Sequence, residues 1–307
     1  MLIKASFPLA GHLIKNISKT PEISYEITNT SPYKDEVSMK RNVYYIILDA
    51  MASIESAEQL NIISKKEVKA NLVNTGLKYI DKSLSSYSET QMAITSIMFV
   101  DYPQTLSSKI PLNYSSLFPL MISTMKHNEI PLISYVKKAN SSFLWAAKQS
   151  AICRPSKEWI CINSPNIFFS NNLFKFTLTT PLPKIFLAIF RDISSQDSIS
   201  PFLEYIENNG LPKNQFFAYI HNDIPHNPYR VTSECEPTNY INQNMEGYKS
   251  SYNCALKTLQ IFMEKINIID PEAIVVFQGD HGIRDLNIEI TEKEKYLLLG
   301  RVFNAIK

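Results

Sequence analysis

Four strongly apolar segments constrain the fold of this chain more than any other feature. They lie at residues 43–48, 130–136, 216–220 and 273–277, and all are unbroken except 130–136, which contains Pro131 and Ser134. Apolar runs of this length are typical of strands that are buried on both faces, as in a parallel sheet. Helical patterns separate them, so the sequence predicts an α/β fold: a three-layer α/β/α arrangement with a mostly parallel central sheet.

The intervening segments divide the chain into predicted helices and less regular regions. The pattern predicts helices at residues 53–64, 92–99, 117–125 and 248–266. Ser53 is the expected N-cap of the first, because serine oxygens accept from the free N–H groups of a first turn. We expect residues 1–41 to be an irregular leader and residues 42–307 to be one catalytic domain. Within that domain, residues 138–200 are expected to be an insertion with short helices.

Charge, hydropathy and cysteine content limit the functional classes. The formal net charge of the 307 residues is +2, so nothing favours binding to nucleic acid. No apolar run approaches the roughly 20 residues that cross a bilayer, and we identify no signal peptide. The four cysteines match no zinc pattern. Cys153 with Cys161 and Cys235 with Cys254 are close enough in sequence to form disulfides, and four free thiols are the equal alternative.

Polar side chains directly follow three of the predicted strands. Asp49 follows the first, His221 the third and the Asp280-His281 pair the fourth, while His226 lies a short distance beyond His221. Taken singly, Asp49, His221 and His226 are each more typical of a turn, a cap or an ordinary histidine, whereas for the Asp280-His281 pair a turn and a pair of ligands are equal alternatives. The carboxyl ends of parallel strands lie at one edge of a sheet, however, so these residues are expected to converge. Aspartate and histidine together are suitable ligands for a divalent cation.

A candidate nucleophile lies between the first two predicted strands. Ser88 and Thr90 precede the predicted helix at 92–99. A helix N-terminus favours anions, and a nearby cation lowers the pKa of a hydroxyl group, so either residue suits attack on an anionic ester. The alternative is that the hydroxyl group only caps the helix.

Together these motifs resemble the sulfatase-like family of the alkaline phosphatase superfamily. They are Ile-Ile-Leu-Asp49, Tyr-Ser-Glu-Thr90, His221-Asn-Asp-Ile-Pro-His226-Asn-Pro-Tyr and Gly-Asp280-His281-Gly, in this order. This family includes sulfatases, lipoteichoic acid synthases and lipid A phosphoethanolamine transferases. The resemblance spans residues 42 to 282 and implies an alkaline-phosphatase-like fold.

The resemblance also implies an activity and a set of site residues. Asp49, Thr90, Asp280 and His281 would bind one divalent cation, with Zn²⁺ or Mn²⁺ favoured and Ca²⁺ or Mg²⁺ as alternatives. Thr90 would also be the nucleophile that forms a covalent intermediate with a phosphate ester, or less readily a sulfate ester. His226 would contact the transferred group, and His221 would assist it. The substrate would be a small or lipid-linked ester, in an extracytoplasmic or membrane-tethered setting.

Three departures from the family pattern qualify this expectation. Arylsulfatases carry a Cys/Ser-x-Pro-x-Arg motif, which is absent near Thr90, so phosphate transfer is favoured over sulfate hydrolysis. Those enzymes also have paired aspartates after the first strand, whereas Ala50 follows Asp49 here. Lys307 is only 25 residues beyond Gly282, which predicts C-terminal truncation. An inactive binding protein with the same fold is therefore the alternative, and a phosphoglycerate-mutase-like isomerase fits less well.

Overall fold

The computed structural model describes residues 38–100, 130–147, 153, 156–162, 196–242, 244–284 and 291–307. Its strands are β1 (Val43–Leu48), β2 (Lys78–Tyr79), β3 (Ser142–Ala147), β4 (Ile160–Ile162), β5 (Phe216–Asn222), β6 (Tyr229–Val231), β7 (Pro237–Asn242), β8 (Ile274–Gly279) and β9 (Asn304–Ile306). Its helices are α1 (Ile54–Gln59), α2 (Lys65–Asn74), α3 (Thr90–Phe99), α4 (Pro131–Lys138), α5 (Ile199–Asn209), α6 (Met245–Ile269) and α7 (Glu292–Gly300).

The main sheet has seven strands in the order β2-β9-β8-β1-β5-β3-β4. The strands from β8 to β4 are parallel, whereas β9 is antiparallel to both β8 and β2. The β6 and β7 strands form a separate antiparallel pair. This arrangement confirms the predicted α/β class with a mostly parallel sheet.

Each face of the sheet packs against its own hydrophobic cluster. On one face, Tyr44 and Ile46 of β1 belong to the cluster that contains Phe262 of α6. On the other, Ile47 belongs to the cluster that contains Ile94 of α3 and Ile133 of α4. Side chains of a strand alternate between its two faces, so a continuous apolar run such as β1 serves both layers. The three-layer prediction is therefore confirmed.

The strand predicted at residues 130–136 is wrong, because this segment begins helix α4. Pro131 occupies the first turn, where its missing N–H costs no hydrogen bond. Ile130, Ile133 and Val136 are buried, and their spacing of three places them on one side of the helix. The spacing at which the apolar residues recur, rather than their number, therefore determines that this segment is a helix and not a strand.

The predicted insertion at residues 138–200 is also corrected, because its described part supplies strands to the main sheet. The run Phe143-Leu-Trp-Ala-Ala147 forms most of β3, which pairs with β5, and β4 pairs with β3. The rest of that segment, where the short helices were predicted, lies largely outside the described residues, as do the helix predicted at 117–125 and the leader up to residue 37.

Two further predicted helices are present, with different boundaries. Residues 53–64 hold the shorter helix α1, for which Ser53 is the N-cap, as predicted; its Oγ accepts from the N–H of Ser56. The helix predicted at 248–266 lies within α6.

Both cysteine pairs form disulfides, Cys153–Cys161 and Cys235–Cys254. Across the part of the chain that the structure describes, none of the helices has the length and apolar character needed to cross a bilayer.

Candidate active site

The ends of three adjacent strands form the site. Leu48, the last residue of β1, is level with Asn222 of β5 and with Gly279 of β8. Asp49 follows Leu48, Asp280 follows Gly279, and His221 comes just before Asn222. The side chains of these three residues are almost completely buried. Parallel pairing therefore brings Asp49 together with His221 and Asp280, which are 172 and 231 positions further along the chain, as the sequence predicted.

Thr90 joins this group from the opposite side of the site. It is the first residue of α3, and its Oγ1 lies 3.1 Å from His281 Nε2 and 3.4 Å from Asp49 Oδ1. Ser88, the alternative nucleophile, is exposed, and its carbonyl oxygen accepts a hydrogen bond from Arg284. Arg284 also forms an ion pair of 3.0 Å with Glu89, so the segment before Thr90 is attached to the loop that carries His281.

The orientation of Asp280 and His281 is set by backbone contacts. Asp280 Oδ1 accepts from the N–H groups of Ala50 (3.0 Å) and His281 (2.8 Å). Asp280 Oδ2 is buried and accepts no hydrogen bond from the described residues. His281 Nδ1 donates to the Gly282 carbonyl oxygen at 2.7 Å. In a neutral imidazole the Nε2 lone pair then faces Asp49 and Thr90, as in histidines that bind metals.

The spacing of these atoms fits a divalent cation. Tetrahedral bonds of about 2.0–2.1 Å place neighbouring ligand atoms about 3.3 Å apart. Thr90 Oγ1, Asp49 Oδ1 and His281 Nε2 are separated by 3.1, 3.4 and 3.4 Å. Asp280 Oδ2 lies 3.8 Å from His281 Nε2. The buried Asp280 oxygen without a donor supports this fit, because a cation would satisfy it.

The two histidines at the end of β5 and in the loop after it have different positions. His221 is fully buried, and its Nε2 lies 3.3 Å from Asp49 Oδ2 and 3.4 Å from Asp223 Oδ1. His226 is only half-buried, and its ring centroid lies 6.0 Å from that of His281. One ligand atom of each of Asp49, His226 and His281 lies within 4.8 Å of the others. All six predicted site residues are thus in one region.

Asp223 is the site residue that the sequence reasoning missed. It is buried beside His221, and its carbonyl oxygen accepts from the N–H of His226 at 2.8 Å, which shapes the loop between the two histidines. An available signal was its position in His221-Asn-Asp-Ile-Pro-His226, a carboxylate between two histidines assigned to the site.

Without a cation, the electrostatics of the site are those of a mixed cluster of carboxylates and imidazoles. Burial alone would raise the pKa of Asp49, but hydrogen bonds with His221 and His281 outweigh it and hold that pKa well below its usual range. Burial and the charge of Asp49 raise the pKa of Asp280. Burial opposes the charged form of His221, yet its carboxylate neighbours, chiefly Asp49, raise its pKa to about 9. The pKa of His281 is also raised, against the effect of burial, chiefly by Asp280. The cluster therefore favours positive charge at its centre.

The turn after β1 is held by helix α6. Ala50 has a left-handed backbone conformation with φ of 62°. Its N–H donates to Asp280, and its carbonyl oxygen accepts from the Tyr248 hydroxyl group at 2.9 Å. This helix therefore supports the backbone next to Asp49.

No protein-family model matches the sequence, and neither does any curated protein. Solved structures with similar folds do exist. The periplasmic domain of phosphoethanolamine transferase EptC from Campylobacter jejuni has a TM-score of 0.53 at 9% identity, covering 88% of this chain and 80% of that one. The zinc complex of the Escherichia coli EptC domain has a TM-score of 0.53 at 12% identity, covering 89% and 74%.

A full membrane enzyme shows the same similarity. The lipooligosaccharide phosphoethanolamine transferase EptA from Neisseria meningitidis has a TM-score of 0.51 at 13% identity, covering 99% of this chain and 55% of that one. At these identities the similarity establishes the fold. It confirms the predicted alkaline-phosphatase-like α/β architecture.

Proposed function

We propose that this protein is a metal-dependent transferase or hydrolase of phosphate esters that acts through a covalent intermediate on Thr90. The observation that carries the proposal is the position of Thr90 Oγ1 at the start of α3, 3.1 Å from His281 Nε2 and 3.4 Å from Asp49 Oδ1. A hydroxyl group used only as a helix cap would bond to its own helix. Thr90 instead faces buried side chains that suit a cation.

In this proposal Asp49, Asp280, His281 and Thr90 would hold the cation. A bound divalent cation would lower the pKa of the Thr90 hydroxyl group and neutralise charge on the phosphate oxygens. Thr90 Oγ1 loses its proton to solvent and forms a bond to phosphorus, while the bond from phosphorus to the leaving alcohol oxygen breaks and that oxygen takes a proton from solvent. The free N–H groups of the first turn of α3 favour the anionic ester beside Thr90. Water or an acceptor alcohol later releases the phosphoryl group.

His226, in the loop after β5, and His221, within β5, have separate roles in this scheme. His226 Nδ1 donates to the carbonyl oxygen of Asn227, which leaves Nε2 to contact the transferred group. Its half-buried position between the solvent and Asp49 suits that contact. His221 is buried behind Asp49 and orients its carboxylate, so it acts through Asp49 rather than on the ester.

The choice of metal and compartment follows from the chemistry of the ligands and cysteines. A site with both nitrogen and oxygen ligands suits Zn²⁺ or Mn²⁺ better than Ca²⁺ or Mg²⁺, which remain the alternatives. Two disulfides favour an oxidising, extracytoplasmic compartment. The similar C. jejuni and E. coli structures are periplasmic domains, which supports the same compartment. The similar N. meningitidis enzyme is by its name a lipooligosaccharide phosphoethanolamine transferase, which supports a lipid-linked phosphate ester as the substrate.

The test is turnover and trapping of the intermediate. The wild-type protein and the Thr90→Ala and Thr90→Ser variants are assayed with Zn²⁺ or Mn²⁺ against a panel of phosphate mono- and diesters, with sulfate esters for comparison. We expect Thr90→Ala to lower turnover by at least about 10³-fold, because the nucleophile is lost, and Thr90→Ser to retain part of it. Mass spectrometry of the quenched reaction should locate the added phosphoryl group on Thr90.

Two results would contradict the proposal. Turnover in Thr90→Ala equal to that of the wild type would exclude Thr90 as the nucleophile. Binding of metal and ester by the wild type without turnover of any ester would instead support the alternative of an inactive binding protein.

A further inference from the structure

The disulfide between Cys235 and Cys254 lies on the wall of an open cavity. Cys254, in α6, is fully buried, whereas Cys235, in the turn between β6 and β7, is half-buried. Both cysteines line a cavity of about 340 Å³ between α5, α6 and β6, together with apolar side chains such as Ile199 and Ile261. A small thiol can therefore reach this disulfide while the protein stays folded.

The disulfide is a covalent link between the β6–β7 hairpin and helix α6. The two strands are paired only at Tyr229 with Asn242 and at Val231 with Pro237, and the register shifts between these pairs. A two-stranded hairpin of this kind is marginally stable by itself. Its other attachment to α6 is apolar: the Tyr229 ring centroid lies 5.8 Å from that of Tyr248. The disulfide is thus the strongest described link between the hairpin and the domain.

The same hairpin carries one end of the loop that presents His226. Strand β6 begins at Tyr229, only three residues after His226. On the other side of the loop, Gln196 Nε2 donates to the His226 carbonyl oxygen at 3.2 Å. Gln196 and Ile224, which lies in this loop, line the same cavity as the disulfide. One wall of the cavity is therefore continuous with the backbone that positions the His226 imidazole.

We infer that the Cys235–Cys254 disulfide is a redox-controlled clamp on the loop that carries His226. A dithiol reductant enters the cavity, and its thiolate attacks Cys235 Sγ and expels the Cys254 thiolate, which takes up a proton. The second thiol of the reductant then attacks the mixed disulfide and releases Cys235 as a thiol. Two electrons and two protons pass to the cysteines, and the reductant becomes a cyclic disulfide.

The reduced protein keeps its fold but no longer fixes the hairpin to α6. The loop then moves relative to the strand ends, and His226 loses its position beside Asp49 and His281. Turnover falls as a result, and reoxidation restores it. This regulation acts on the site of the proposed function, so the part of the inference that concerns turnover rests on that function.

The second disulfide of the chain provides a matched control. Cys161 lies in β4, the last strand of the main sheet, which pairs only with β3. Its partner Cys153 is fully buried. This disulfide therefore joins elements at the edge of the sheet, and β3 separates it from the strand that leads to His226.

Reversible reduction of the full chain tests the inference. The protein is treated with dithiothreitol under native conditions, and new thiols are alkylated and located by mass spectrometry. We expect labels on Cys235 and Cys254, with faster amide hydrogen exchange at residues 223–231. With Mn²⁺ and a phosphate ester, kcat/KM should fall at least about tenfold, because a displacement of about 1 Å can cost about 100-fold in rate. Oxidised glutathione should restore both signals.

Two double variants separate the disulfides. Cys153→Ser/Cys161→Ser should keep the full response to the dithiol. Cys235→Ser/Cys254→Ser should show the low turnover and the fast exchange before treatment, and no further change after it. The second variant also measures any removal of metal by dithiothreitol. Circular dichroism, with assays well below the unfolding temperature of the reduced protein, distinguishes loop movement from unfolding.

The outcomes decide this inference separately from the proposed function. Cysteines 235 and 254 that are labelled only on unfolding would overturn it, because the cavity would then give no access. Reduction that lowers Tm but leaves hydrogen exchange and turnover unchanged would also overturn it, since the disulfide would then serve stability alone. A wild type that turns over no ester would contradict the proposed function, whereas labelling and hydrogen exchange would still decide whether the clamp exists.

Discussion

Gly282 shows how a single residue without a side chain sets the geometry of the site. A Cβ atom on Gly282 would lie 1.8 Å from the carbonyl oxygen of Leu298 in α7, a contact that no real Cβ makes. The N–H of Gly282 donates to the carbonyl oxygen of Leu299 at 2.6 Å. The loop that carries Asp280 and His281 therefore packs directly on the backbone of this helix.

We predict that Gly282→Ala destabilises the protein by about 1–3 kcal/mol or more, because the backbone of α7 must move to admit the methyl group. Gly300→Ala is the matched control, since a Cβ there meets nothing within 4 Å. Urea unfolding followed by circular dichroism measures both changes. Equal stability of Gly282→Ala and the wild type would show that the loop does not pack on α7 in this way.

At the scale of elements, helix α6 supports the turn that presents Asp49. The Tyr248 hydroxyl group donates to the carbonyl oxygen of Ala50 at 2.9 Å and accepts from the N–H of Ala52 at 3.2 Å. Tyr252 donates to the carbonyl oxygen of Ala52 at 3.1 Å. These bonds supplement the backbone hydrogen bonds that the turn makes with residues 301–303, from the N–H of Ser53 to Arg301 and from the N–H of Phe303 to Met51. Helix α6 therefore helps to hold the turn that carries Asp49.

We predict that Tyr248→Phe destabilises the protein by about 1–3 kcal/mol, because it leaves a buried N–H and a buried carbonyl oxygen with lost partners. It should also weaken metal binding, since the turn carries Asp49. Tyr205→Phe is the control: its ring packs on the same core, and no hydrogen bond of its hydroxyl group is found within the described part of the chain. Unfolding and equilibrium dialysis check both effects. Loss of stability without loss of metal affinity would limit Tyr248 to a structural role.

The strands that the sequence predicted correctly are those in which a continuous apolar run corresponds to side chains buried in the structure. In β1, β5 and β8 an unbroken apolar run coincides with side chains that are buried or half-buried on both faces of the sheet, so the run alone predicted a strand. Residues 130–136 failed because their apolar side chains recur at a spacing of three, which is helical, although the run is also rich in β-branched residues. The short strands β2 and β9 have two and three residues, too few to show any period.

At the scale of the whole molecule, the site was predictable where a strand end determined it. Asp49, Asp280 and the β5 histidines follow buried runs, and parallel pairing alone brings them together. The contact between Thr90 and His281 was not visible from periodicity, because it depends on how α3 packs over the sheet; the resemblance to the sulfatase-like family supplied it. Asp223 was missed because it lies in the turn after β5 rather than directly at a strand end, and its position between His221 and His226 was the only signal in the sequence.

Because the ligands come from three distant parts of the chain, cation binding should stabilise the whole fold. An ion that binds only the native state at a concentration 100 times its Kd adds about 2.7 kcal/mol, which corresponds to a rise in Tm of about 4 °C for a chain of this size. We predict such a rise on adding Zn²⁺ or Mn²⁺, and its reversal by a chelator. Asp280→Asn should reduce the rise, whereas the surface variant Asp81→Asn should not. Differential scanning calorimetry measures these shifts, and an identical rise in Asp280→Asn would mean that the stabilising ion binds elsewhere.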